Sequence, residues 1–272
     1  MRSVTGDPEL RPLGLARAAF GLVLVLRTTP VLAPFDPTFL RGTNGWLGWP
    51  DGGWHVPVHG LALPPTVIAL LVMLRTLGAL GLALGFHTRI AGLVAGVAGY
   101  LVLAQDAFGY FHHLHMLYLG AILFALVDAD AAIALRLRPA LSPVSSLRLM
   151  RAFVASIYVW AAIGKLASEW GTGAALAAFR DSGALDPIAG LLSANRCAAI
   201  EIAIVAIELA IGAGLLWTRT RRIALISALA MHATFEVIAR VDSIGWQMAA
   251  LLLVFTRSVS ADSVRRPPTI RR

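Results

Sequence analysis

Lysine is nearly absent from this chain: of its 23 basic residues one, Lys165, is a lysine and the other 22 are arginines. Arginine stays charged at any ordinary pH, whereas a lysine in apolar surroundings can give up its proton. Lys165 lies in the apolar stretch ASIYVWAAIGKLASEW, residues 155–170, where an ionisable side chain is a functional candidate by default. The plainer reading is compositional, with arginine displacing lysine everywhere and sparing one site by chance. Cysteine is equally scarce. With Cys197 alone there is no internal disulfide, no CxxC pair and no thiolate metal cluster, so redox chemistry would need a bound cofactor or a partner. The GxGxxG, P-loop, HExxH and GxSxG patterns are missing, which leaves nucleotide, zinc-protease and serine-hydrolase readings without support. No internal repeat is evident, which weakens a transporter reading. Charge is also sparse. Only 14% of the 272 residues are charged against 58% hydrophobic, and the mean hydropathy is +0.75, values that exclude an ordinary soluble domain and point to a polytopic membrane protein.

Apolar runs fall at roughly Leu13–Ala33, Pro65–Phe86, Ile90–Ala107, His112–Leu135, Arg148–Trp170, Arg196–Trp217, Ile223–Ala239 and Ile244–Phe255. They predict an all-α transmembrane bundle of about eight spans, one domain over residues 1–272. Two stretches interrupt the pattern. Phe35–Leu63 is rich in proline, glycine and tryptophan (Trp46, Trp49, Trp54) with His55 and His59, and is expected to lie on the membrane interface. Gly171–Asn195, broken by Asp186-Pro187, is expected to be re-entrant or interfacial. The N-terminal MRSVTGDPELRPLG does not have the form of a cleaved signal peptide, so the first run would serve as the insertion signal. With that terminus inside, 16 arginines fall on the inner side and four outside (Arg41, Arg180, Arg196, Arg240), while Arg27 and Arg75 lie within runs. Both termini are thus expected to be cytoplasmic, with an arginine-rich tail at 258–272. The net charge of +8 is spent on orientation, and nucleic acid is not an expected partner. The pairs Gly81 with Gly85 and Gly92 with Gly96 would let helices approach closely in lipid.

Four polar groups stand within runs or at their outer ends. Glu169 follows Lys165 by one helical turn on the same face. If the two pair, the ammonium is structural; if Glu169 turns to water, Lys165 becomes a usable base. A histidine run, His112, His113 and His115, opens the fourth apolar run just after Gln105 and Asp106. Adjacent side chains on a helix diverge by about 100°, so at most two could share a metal ion, and no metal site is expected. A histidine there serves better as a proton carrier or as a donor to a substrate oxygen, or simply as a solvated interfacial group. His232, Glu236 and Arg240 recur every four residues along one stripe, as an intrahelical ladder or as the lining of a cavity. Glu201 and Glu208, seven apart, share a face, with Arg27 or Arg75 as natural structural partners. Asp128 and Asp130 fall at the opposite, inner end of the fourth run, away from Lys165.

HHLHMLYLGAILFALVDAD, the IGKLASEW that follows, LGALGLALGFHTRIAGL before them and ALAMHATF after them together resemble the membrane domain shared by vitamin K-dependent gamma-glutamyl carboxylase and the bacterial horizontally transferred transmembrane (HTTM) domain proteins. The likeness extends over roughly residues 10–257, and its most specific piece is the Lys-x-x-x-acid-Trp ending at Lys165, Glu169 and Trp170. It implies a multi-pass protein of the bacterial cytoplasmic membrane. It also implies a carboxylase-like reaction in which a reduced vitamin K or menaquinone is oxidised to its epoxide by O2, and the strong base so made takes a proton before CO2 adds. The catalytic lysine of the family falls on Lys165 and a functional histidine on His113, with His112, His115, His232 and Glu169 as substrate-binding candidates. Gly164 stands where the carboxylase has a second lysine, and His112 where it has asparagine. Besides the lipid bilayer, the implied partners are the quinone and a peptide or small-molecule substrate. The alternative is a non-catalytic membrane partner, a peptide-maturation or immunity factor that binds lipid or quinone.

Overall fold

The computed structural model describes residues 6–28, 63–105, 112–181, 185–239 and 244–256. Among these the fold is all-helical, and the only bridge-type pairing joins Gly6 to Ala132. The α-helices are α1 (Arg11–Thr28), α2 (Pro65–Leu84), α3 (Thr88–Leu103), α4 (His112–Leu126), α5 (Pro143–Leu166), α6 (Ala174–Asp181), α7 (Ala194–Leu216), α8 (Arg221–Thr234) and α9 (Ile244–Leu252). Three of them are long and apolar enough to cross a membrane: Thr66–Leu84 within α2, α5 and α7. The tryptophan-rich stretch around 35–62, Arg240 and the tail at 258–272 lie outside the described residues. The chain is a membrane protein, and its large exposed side chains agree: Leu77, Ile90, Trp160 and Ile226 all turn outward, as they do where the solvent is lipid tail.

The described residues fall into two compact units, Met1–Leu147 with Thr256–Arg272 and Arg148–Phe255. In the first, α2 packs on α1 and α3, and α3 packs on α4. Glycine permits the close approach. A Cβ on Gly92 would stand 2.5 Å from the Ala121 carbonyl of α4, and one on Gly78 would stand 2.7 Å from the Ala95 nitrogen of α3. Gly81 likewise faces Ala91 of α3, whereas Gly85 has a different task. At φ +69° it ends α2 in the left-handed conformation, which a side chain would strain.

Buried charge ties this unit together at one end. Arg17, fully buried in α1, donates from Nε to the Ala129 carbonyl at 3.1 Å and from Nη1 to Ala83 at 3.0 Å, and its guanidinium also holds the carbonyls of Leu82 and Ile133. Leu82 and Ala83 lie in the last turn of α2, where the helix's own hydrogen-bond ladder runs out. Arg75, also fully buried, donates to the Tyr118 hydroxyl at 3.3 Å. The fourth apolar run is shorter than expected. Instead of continuing to Leu135, α4 ends at Leu126, because Asp128 is needed elsewhere. Its Oδ2 accepts from the Leu141 and Ser142 amides at 3.0 and 2.7 Å and from the Ser146 hydroxyl at 3.2 Å, so this carboxylate caps the start of α5. Arg89 of α3 joins it at 3.4 Å.

In the second unit α7 packs on α6 and α8, and α8 packs on α9. The stretch expected to be re-entrant or interfacial forms α6 followed by a 3-10 turn at Asp186–Leu191. Leu176, Leu185, Leu192 and the fully buried Cys197 form a small core beneath it. The seventh apolar run is not one regular helix, since the backbone passes into a π-helical turn at Phe235–Ala239 after α8.

Candidate functional site

Lys165 occupies the last turn of α5, and its partner comes from another helix. Nζ donates to both carboxylate oxygens of Glu208 at 2.7 and 2.8 Å. The lysine side chain is 20% exposed and that of Glu208 5%, so the pair is largely withdrawn from solvent yet reachable from one side. The ring of Trp170 lies 5.2 Å from the ammonium, a cation-π contact that closes one flank. Glu169 is exposed, and its carbonyl accepts from Thr172 rather than its carboxylate binding Lys165. The expected arginine partners of Glu208 are thus corrected to Lys165. The helices come close enough for this pair because Gly212 of α7 faces α5, where a Cβ would stand 2.8 Å from Val159 and 3.1 Å from the Ala155 carbonyl.

Glu201, two turns before Glu208 on α7, is also free of arginine. Its carboxylate accepts from the backbone amides of Gly171, Gly173 and Leu176 at 2.7, 2.8 and 2.7 Å. Gly171 and Gly173 stand at φ +100° and +88°, a backbone that turns successive amides toward one anion. The carboxylate also meets the N-terminal end of α6, where the helix dipole favours negative charge. Fully buried Glu201 therefore fixes the loop that carries Trp170 over Lys165.

A second polar pair lies deeper on α5. Tyr158 precedes Lys165 by seven residues, about 10 Å along the helix on the same face. Its hydroxyl meets Nε2 of His232 at 2.9 Å, and the two rings are 5.7 Å apart. His232 is buried, and its Nδ1 has no hydrogen-bond partner among the described residues, an uncommon state for a buried polar atom. Of the stripe expected from His232 through Glu236 to Arg240, Arg240 lies outside the described residues. The π turn changes the helical register, and Glu236 accepts instead from the Gly245 amide at 2.9 Å.

His112 and His113 open α4, with side chains outside the described residues. His115 packs edge-on against Tyr100 of α3, ring centroids 5.5 Å apart. The second unit thus gathers Lys165, Glu208, Trp170, Tyr158 and His232. Tyr158, Glu208 and Trp170 are the members that the sequence did not assign to a site, Trp170 figuring there only in the family motif. The signal for the first two was there: Tyr158–Lys165 and Glu201–Glu208 share the seven-residue spacing that puts two residues on one helix face.

The chain belongs to the HTTM domain family, whose profile matches residues 8–259, nearly its whole length and both compact units. No curated protein and no solved structure matches it.

Proposed function

Taking HTTM membership as the premise, we propose that the chain is a membrane-embedded enzyme of the carboxylase-related kind, using a reduced quinone and acting from the outer face on a peptide or small molecule. One observation carries this reading: the chain's single lysine, on a helix long and apolar enough to cross a membrane, is held by both oxygens of a buried carboxylate and flanked by an indole ring. Ammonium and carboxylate at this distance can exchange a proton. Transfer from Nζ to Glu208 leaves a neutral amine beside a neutral acid, and in a poorly solvated site that amine is a base. Burial of Glu208 and the cover of Trp170 keep water from competing for the same proton. A quinol is apolar and dissolves in the bilayer, from which the exposed α5 side chains Trp160 and Leu166 are accessible. The donor set fits such a group. Tyr158 orients His232, whose Nδ1, without a partner among the described residues, can hold a quinol oxygen. When bound, the reduced quinone would supply, through its oxidation by O2, the strong base that precedes CO2 addition. His113 enters as an assisting group on sequence resemblance alone, and its own substitution tests it.

The test is to supply purified protein in lipid nanodiscs with reduced menaquinone or phylloquinone, O2 and bicarbonate, and to look for quinone epoxide by mass spectrometry. Epoxide is expected from the native protein and should fall at least 100-fold in Lys165→Ala, in keeping with loss of a general base. No epoxide from the native protein, or equal amounts from both, would overturn the reading.

A second reading follows from the completeness of the Lys165–Glu208 pair. An ion pair so well satisfied can be structural, in a non-catalytic membrane partner that binds lipid or quinone or serves peptide maturation or immunity. The double variant Lys165→Met with Glu208→Leu separates the two readings. A structural pair can be replaced by apolar side chains with little loss, whereas a base cannot.

A further inference from the structure

Between α7 and α8 lies an open groove of about 420 Å³ that reaches the arginine-bearing turn at 219–222 and has neither Lys165 nor Glu208 in its lining. Its walls are Ile207, Ile211 and Trp217 of the α7 side and Ile223 of α8, and its floor is kept low by Ala213 and Gly214. Between Ile207 and Trp217 the helix rises about 15 Å, half the roughly 30 Å hydrocarbon core and so about one leaflet deep. Polar groups gather at one end. Thr220 lines the groove there, and its hydroxyl donates to the Gly214 carbonyl at 3.0 Å. Arg219 directly precedes Thr220 and Arg222 directly precedes Ile223, and both arginines are exposed. Arg221 between them is engaged, donating to the Leu215 carbonyl at 3.1 Å and lying over the Phe255 ring. Trp217, 62% exposed at the same level, is placed as interfacial tryptophans are.

We propose that this groove is a binding site for an anionic glycerophospholipid, one acyl chain lying along α7 and α8 and the phosphate held by Arg219 and Arg222. The charge complementarity selects the occupant. An apolar slot alone would accept any lipid tail, but two exposed arginines flanking its Thr220 and Ile223 lining in sequence favour phosphate esters with net negative charge. By the arginine distribution this end faces the cytoplasm, so the lipid comes from the inner leaflet. The site is independent of the quinone chemistry proposed above, since neither arginine nor the groove lining belongs to the Lys165 or His232 pairs.

The experiment uses delipidated full-length protein in mild detergent, titrated with brominated phosphatidylglycerol or brominated phosphatidylcholine. Quenching of Trp217 is read as the difference between the native protein and Trp217→Phe. Phosphatidylglycerol is expected to quench at about tenfold lower concentration than phosphatidylcholine, because its net negative charge is attracted by the two arginines. Arg219→Gln with Arg222→Gln should bring the two lipids together, and Ala213→Phe, which fills the groove from an exposed position, should abolish the tight phase. Glycerol phosphate without acyl chains should not compete. Equal quenching by the two lipids in the native protein, unchanged quenching in Ala213→Phe, or full competition by glycerol phosphate would each overturn the proposal. Should Ala213→Phe fail to fold by circular dichroism, the double glutamine variant decides the matter alone.

Discussion

Removing either member of the Lys165–Glu208 pair strands a charge in a site with little water. Glu208→Ala should therefore destabilise the protein by about 3 kcal/mol, toward the lower end for broken buried pairs because Lys165 retains some solvent contact. Thermal unfolding in detergent would show it as a lowered midpoint, and the double variant Lys165→Met with Glu208→Leu should recover most of the loss. Glu201→Ala removes the acceptor of three backbone amides. It should leave α7 intact but release the 167–173 loop, read as protease cleavage near Gly171 at least tenfold faster than in the native protein; unchanged cleavage would show that the loop is held by other contacts. At this scale the sequence exposes Lys165 through its rarity, but not its partner. Glu169, one turn away, is the obvious local candidate, whereas Glu208 is reached only through an interhelical register that no pattern within one helix encodes. Glu201 is hidden for a related reason: its partners are backbone amides, which leave no residue-type signal.

Among the helices, glycines set the spacing on which the charged contacts depend. Gly212→Leu forces α7 away from Val159 and Ala155 of α5. It is expected to cost about 1–3 kcal/mol from overpacking, and to weaken the Lys165–Glu208 contact with it. Gly164→Leu, whose added Cβ would meet nothing beyond its own helix within 4 Å, is the control and should leave the unfolding midpoint unchanged or raised, since glycine is a poor helix former. The apolar runs reveal most helices to within a few residues. Two departures have physical causes. The run ending near Leu135 conceals the turn after Leu126 because Val127, Ala129, Ala131 and Ala132 are as apolar as a helix interior. The π turn at Phe235–Ala239 leaves the composition untouched and alters only the phase, so the four-residue spacing of His232 and Glu236 suggests one stripe where Glu236 instead meets the Gly245 amide.

For the whole molecule, composition alone reveals the helical membrane class, and the family profile runs without a break through both units, over residues 8–259. The division at Leu147 is not visible in the sequence because α5 carries the chain across it without a linker. Orientation can be measured with unusual economy, since Cys197 is the sole cysteine and is fully buried. The folded native protein should resist maleimide until denaturant is added, as read by mass shift. In a Cys197→Ser background, Leu141→Cys should react with an impermeant maleimide only from the inner side and Glu169→Cys only from the outer. Labelling of both from one side would refute the arginine-based orientation.

Arg17 finally sets a schedule. Its carbonyl partners at Ala129 and Ile133 lie 112 and 116 residues downstream. At synthesis rates of about 5–20 residues per second, those partners emerge roughly 6 to 23 s after the first helix. The first helix is therefore fully locked only once about half of the 272-residue chain has been made, and until then its guanidinium must be sheltered by water, headgroups or the insertion machinery. A variant such as Arg17→Met would remove that waiting charge and the lock together, giving faster insertion of the first helix and a less stable finished unit.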